Sequence, residues 1–204
     1  MNRLFLAMAI GPQAVAAQAS TIPSAREVKY DASPAWVVPP PTAKVEANSS
    51  DAAFRIIYQD MQERITPGRI ESYTAYRVKI LKPEALPMGN VALLWSPSGG
   101  SAEVHYVRII RDKQTIDVLK QAKFKVLERE AGLEQSILDG NLTASLQVPG
   151  LQVGDELEFA ATVIHSEPAF GDHAAGAAQL PVNGFPGTYR YRLAWPEAKS
   201  LSWR

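Results

Sequence analysis

The sequence predicts an all-β chain, an antiparallel β-sandwich of seven or more short strands behind an extended N-terminal strap. Two observations carry that expectation. Over Arg69–Leu81, Ile70, Thr74, Tyr76, Val78 and Ile80 share one side of an extended chain while Glu71, Arg77 and Lys79 share the other. That is the period-two pattern of a half-buried strand. From Phe124 to Val163, short apolar blocks are separated by turn-forming pairs such as Asp139-Gly140, Pro149-Gly150 and Gly154-Asp155.

Residues 1–19 read as a signal peptide. Arg3 supplies the positive start, Leu4 to Ile10 form a compact apolar run, and Ala17-Gln18-Ala19 before Ser20 has the small-x-small form of a cleavage site. Ala14-Val15-Ala16 offers a second site, and Ala19–Ser20 is the preferred one. The apolar run is far shorter than the roughly 20 residues that cross a bilayer, and Gly11-Pro12 interrupts it. No later stretch reaches spanning length, so the mature chain is expected to be exported, periplasmic or extracellular, and not membrane-spanning.

Residues 20–53 form a Pro-rich lead-in. Pro34 and the run Pro39-Pro40-Pro41 favour an extended strap lying across the domain. Trp36, with Val37 and Val38 beside it, is placed to pin that strap by burying its ring.

The β domain then occupies residues 54–204. Phe54 to Ile65 is ambiguous by periodicity, since Phe54, Ile57, Tyr58, Met61 and Ile65 also satisfy helical spacing. The turn Thr66-Pro67-Gly68, leading straight into the clear strand at Arg69, favours a hairpin. Further strands are expected at Val91–Trp95, Glu103–Arg111, Thr115–Leu119, Phe124–Glu130, Leu142–Val148, Glu156–Ile164 and Tyr189–Trp195. In the last of these, Tyr189, Tyr191, Leu193 and Trp195 are expected to face the core. Ser166 to Thr188, rich in Ala, Gly and Pro, reads as a long loop.

Composition narrows the chemistry. The chain has 204 residues, 46% of them hydrophobic, which is enough for a real core. Twenty-one basic residues balance twenty-one acidic ones, so no global field draws in nucleic acid. Cysteine is absent, which removes disulfides, thiolate ligands and a thiol nucleophile. The three histidines, His105, His165 and His173, show no metal-binding spacing, and no cofactor fingerprint is present. Two pairs of candidate residues remain. Glu128 and Glu130 would share a face of a strand, the arrangement of a hydrolase's carboxylate pair, and Asp172 with His173 sits in the long loop.

Several blocks in order give the chain a family resemblance over about residues 35–195. They are Pro34-Ala35-Trp36, Tyr58-Gln59-Asp60 with Tyr76-Arg77-Val78, His105 to Arg111 with Ile116-Asp117-Val118, Glu128-Arg129-Glu130 through Asp139-Gly140, Gly150 to Asp155, and Phe170-Gly171-Asp172-His173. The chain resembles an exported bacterial family whose N-terminal domain of unknown function precedes a transglutaminase-like, papain-related domain. The resemblance implies a partner in such a domain, downstream or separate, or in an envelope protein or glycan. In relatives a Cys-His-Asp arrangement performs acyl transfer. With no Cys here, no catalytic residue carries over.

The sequence therefore points to a non-catalytic accessory module. A carbohydrate-binding module, suggested by Trp36, Trp95, Trp195 and Trp203, is one alternative, and a hydrolase with an unrecognised carboxylate site is another. N-terminal sequencing of the exported protein is expected to begin at Ser20. Recovery only of the intact Met1 form from the cytoplasm would overturn the export reading.

Overall fold

The computed structural model describes residues 25–42, 51–128, 140–166, 173, 178, 180–181, 187–198, 200 and 202. Within them, ten strands form two sheets. They are β1 (Val28–Tyr30), β2 (Phe54–Thr66), β3 (Arg69–Ile80), β4 (Asn90–Trp95), β5 (Gly100–Arg111), β6 (Gln114–Asp117), β7 (Lys125–Glu128), β8 (Leu142–Gln147), β9 (Glu156–His165) and β10 (Thr188–Ala194). The large sheet runs β1-β5-β9-β3-β2-β10, with β6 also paired to β5, and the small sheet runs β4-β8-β7.

Local chemistry accounts for the elements. Pro67 presets its own φ and Gly68 accepts a φ of 65°, so β2 folds straight back on β3 and the ambiguous Phe54–Thr66 segment is a strand. The expected run at Thr115–Leu119 divides into β6 and a 3₁₀ turn over Val118–Lys120, because the Asp117 side chain accepts from the Leu119 N–H at 3.0 Å and caps the turn. A second 3₁₀ segment spans Pro83–Gly89, with a proline at its start.

The antiparallel expectation holds only in part. β2–β3, β3–β9, β5–β9, β5–β6, β4–β8 and β7–β8 are antiparallel, whereas β1 pairs parallel to β5 and β10 parallel to β2, which makes the large sheet mixed. Both parallel strands come from outside the hairpin-linked segments. β1 lies inside the lead-in, and β10 follows the long connection after β9, as parallel pairing requires.

The two sheets share one apolar core. Val78 and Ile80 of β3, Val104, Val107 and Ile109 of β5, and Leu157 and Phe159 of β9 meet Val91, Leu93 and Trp95 of β4 and Leu142, Ala144 and Leu146 of β8. The opposite face of the large sheet is not the solvated face that Glu71, Arg77 and Lys79 suggested. Glu71, Tyr73 and Ala75 are buried there, and Tyr58, Tyr73, Ala75 and Ala160 form a second cluster against Trp36, Val37 and Tyr106. The strap covers the part of this side that carries the cluster.

Two bulges make the double burial work. Register slips between Ile56 and Tyr58 on β2 and between Val104 and Tyr106 on β5, so that Ile56 and Val104 face the main core while Tyr58 and Tyr106 face the strap. A second correction concerns β10. Tyr189, Tyr191 and Leu193 are half-buried and join neither cluster, and Trp195 is 42% exposed. β10 is the outer strand beyond β2, whereas the small sheet packs over β5 and β9.

Leu157→Ala, deep between the sheets, is expected to cost about 2–5 kcal/mol and Tyr191→Ala only about 1 kcal/mol. Chemical denaturation of both variants checks this. Equal losses would place β10 in the core after all.

Candidate functional site

The densest polar grouping lies where the strap crosses β2 and β10. Alternation along β2 puts Asp60 and Gln62 on the strap side, and alternation along β10 puts Arg190 and Arg192 beside them, since Arg190 is in register with Asp60 and Arg192 with Gln62. Asp60 and Gln62 are both 0% exposed. Arg190 grips Asp60 with two bonds, Nε to Oδ1 at 2.7 Å and Nη2 to Oδ2 at 2.6 Å. The same Nη2 donates to the carbonyls of Pro39 at 2.7 Å and Val38 at 3.2 Å.

Gln62 completes the clamp. Its Oε1 accepts from the Val38 N–H at 3.1 Å, and its Nε2 donates to the Val38 carbonyl at 2.8 Å and to Asp60 Oδ2 at 2.9 Å. One side-chain amide thus satisfies both backbone groups of Val38, as a neighbouring strand would. Arg192 adds a bond to the Trp36 carbonyl at 3.2 Å. Every member is committed to holding the strap.

Farther along the same face lies a tyrosine cluster. Tyr58 donates to Glu158 Oε1 at 2.9 Å, and the Tyr73 and Tyr106 hydroxyls lie 3.4 Å apart. Burial, ahead of the neighbouring carboxylate and phenols, pushes Tyr58, Tyr73 and Tyr106 well above the ordinary phenol value, and burial pushes Tyr76 up to about 12. These phenols stay neutral and serve as hydrogen-bonding groups rather than nucleophiles.

His105, at the β5 bulge, stacks on Tyr73 with ring centroids 5.7 Å apart. Its Nδ1–H donates to the Asp31 carbonyl at 3.0 Å, which leaves Nε2 to accept from Thr162 Oγ1 at 2.7 Å. Burial lowers its pKa, in keeping with a neutral ring tied to the lead-in.

Asp155 anchors a third grouping. It is 2% exposed, takes two 2.8 Å bonds from Arg111 and one of 2.8 Å from the Gln152 N–H, and the Arg111 hydrogen bonds hold its carboxyl below the usual carboxylate range. Gly150 at φ 71° and Gly154 at φ 96° bracket this turn, which is structural.

The residues singled out by sequence do not converge. Glu128 is exposed and pairs with Arg26 at 2.8 Å, tying β7 to the lead-in. His173 is exposed and His165 ends β9 at the surface. Glu130, Asp172, Ala19, Ser20 and Trp203 lie outside the described residues. Trp95 is buried and donates to the Ala25 carbonyl at 2.7 Å, and Trp36, in the strap, packs on the tyrosine cluster beneath it. Among the described residues no group of three His, Cys, Asp or Glu could hold a metal ion, and no helix is long and apolar enough to cross a membrane. The clamp escaped sequence reasoning, although the spacing of Asp60 with Gln62 and of Arg190 with Arg192 places each pair on one strand face.

Fold and polar groupings together define a two-sheet β module whose best-built polar site binds its own strap. The chain belongs to a family of domains of unknown function, DUF3857, whose family model matches residues 66–204. That match starts at the β2–β3 turn, although β2 is paired with β3 along its whole length. A crystal structure of a "putative protease" from Parabacteroides distasonis ATCC 8503 shares the fold, with a TM-score of 0.50 and 10% identity over 56% of this chain. The chain spans 23% of that protein's length. No curated protein matches the chain.

Arg190→Met leaves the Asp60 carboxylate buried without its cation and is expected to cost about 3–5 kcal/mol. Adding Asp60→Asn should restore much of the loss, because the uncompensated charge is gone. Urea denaturation of the two variants tests the pair, and an Arg190→Met protein as stable as the parent would show that the clamp contributes nothing.

Proposed function

We propose that this chain is a non-catalytic, exported accessory module of a larger transglutaminase-like system, positioning a catalytic domain or engaging an envelope partner. One observation carries the reading: among the described residues, the buried carboxylates of Asp60 and Asp155, the Gln62 amide and the His105 imidazole are tied up in structure. Asp60, Gln62 and Arg190 hold the strap, His105 holds Asp31, and Asp155 holds its turn. The sequence offers no thiol to form an acyl intermediate. The Parabacteroides likeness supports the same view, because there the shared fold accounts for under a quarter of a longer chain.

A sugar-binding role would call for a platform of exposed rings. Among the described tryptophans only Trp195 is largely exposed, so nothing here favours that reading over the first.

The purified chain is expected to show no hydrolysis or acyl transfer on peptide amides. Turnover that is lost on Glu128→Gln or His173→Ala would overturn the proposal. Reading the gene beyond the codon for Arg204 supplies the positive arm, since the reading gains from a frame that continues into a region with Cys, His and Asp.

A further inference from the structure

The described part of the strap before residue 43 packs over the tyrosine cluster on the outer face of the large sheet. Beyond Pro39, the rows nearest the far end are cationic. Arg55 on β2 sits directly opposite Lys79 on β3, which faces Glu156 on β9, and the next row places Arg77 opposite Glu158 and Glu158 opposite Arg108. Like charges set side by side on neighbouring strands repel, so a row of this kind needs a counter-anion.

The carboxylates on hand are shared out. Glu156 accepts from Arg77 Nε at 2.7 Å and is 4.0 Å from Lys79 Nζ. Glu158 accepts from the Tyr58 hydroxyl at 2.9 Å and from Arg108 at 3.5 Å. Arg55 makes no ion pair among the described residues, and its buried Nε has no partner. The cations Arg77, Lys79, Arg108 and Lys113 and the carboxylates Asp112, Glu156 and Glu158 line an open groove of about 570 Å³, four positive groups against three negative ones.

The rim of that groove carries backbone strain. Asp112 and Lys113 link β5 to β6 as a two-residue turn, with φ of 49° and 66°. Such turns favour Asn-Gly, since both residues must enter the left-handed region, and a lysine there is held against its own preference. Strain of this kind clusters at functional positions.

We propose that this groove binds an acidic, extended peptide segment through its surplus of cations. The span from β3 across β9 and β5 to β6 is about 14 Å at strand spacing, the length of roughly four residues of extended chain. Guanidinium forks suit carboxylates. No aromatic side chain lines the groove, so it lacks the stacking surface that a sugar polymer would use. The inference stands apart from the accessory reading, because an enzyme could carry the same groove.

The test is fluorescence anisotropy with a labelled tetraglutamate peptide, a tetraglutamine control and trigalacturonate as the sugar acid. Tetraglutamate should bind, weaken as salt shortens the screening length, and outcompete the other two. Lys79→Gln and Lys113→Gly should each weaken binding by about fivefold, the scale of one partly exposed charge contact. Lys113→Gly should also raise the thermal midpoint, because glycine accepts the positive φ without strain. Weaker binding in a more stable protein separates lost contact from lost fold. Absence of salt-sensitive tetraglutamate binding, or unchanged affinity in both variants, would overturn the proposal, and tighter binding of trigalacturonate would overturn the peptide assignment.

Discussion

A β-strand offers each face of its sheet only every second residue, and the large sheet of this protein has to bury both faces. The small sheet covers one and the strap the tyrosine-bearing part of the other. Regular alternation would send Ile56 and Tyr58, or Val104 and Tyr106, to the same side. The bulges on β2 and β5 absorb one residue each, so an apolar side chain reaches the main core and, two positions later, a tyrosine reaches the strap. Without them the second cluster would lose two of its tyrosines and the strap much of its seat.

Holding the strap there is a polar problem as much as an apolar one. An extended segment over a sheet face presents peptide groups with no ladder to join, and burying them unpaired costs about as much as a lost hydrogen bond each. The Gln62 amide and the Arg190 and Arg192 guanidinium groups answer that demand at Trp36, Val38 and Pro39. Asp60 in turn justifies burying Arg190. The strap therefore depends in part on β10, about 150 positions away, through Arg190 and Arg192, while Gln62 of β2 holds Val38 independently of it.

Strand content was legible in the sequence because it rests on local signals. The Pro67-Gly68 and Pro149-Gly150 turns and the alternation of β3 and β8 appear where expected. The faces were harder to read. β3 looked half-solvated because Glu71 and Arg77 are charged, yet Glu71 is buried and paired with Arg64 at 2.8 Å. On β10 the aromatic residues look like the core side, while the arginines do the more consequential work against Asp60 and the strap. Both misreadings share a cause: charge marks an exposed face only when no partner waits across the chain. Parallel pairing of β1 and β10 and the clamp itself depend on contacts between distant segments, for which a single sequence carries no local signal.

The strap and the cationic groove divide one sheet face between them, and the division follows from charge. The middle of that face carries Tyr58, Tyr73, Ala75 and Ala160, against which a Trp-Val segment buries apolar surface. Toward the other end the positions of Arg55, Arg77, Lys79 and Arg108 would have to be desolvated beneath any apolar cover, at a cost that two shared glutamates do not offset. A segment bearing its own carboxylates could cover that end on favourable terms, since each would replace lost hydration of an arginine or lysine with a direct charge-assisted bond. The same physics that places the chain's own strap over the tyrosines thus leaves the neighbouring rows suited to a ligand of opposite charge.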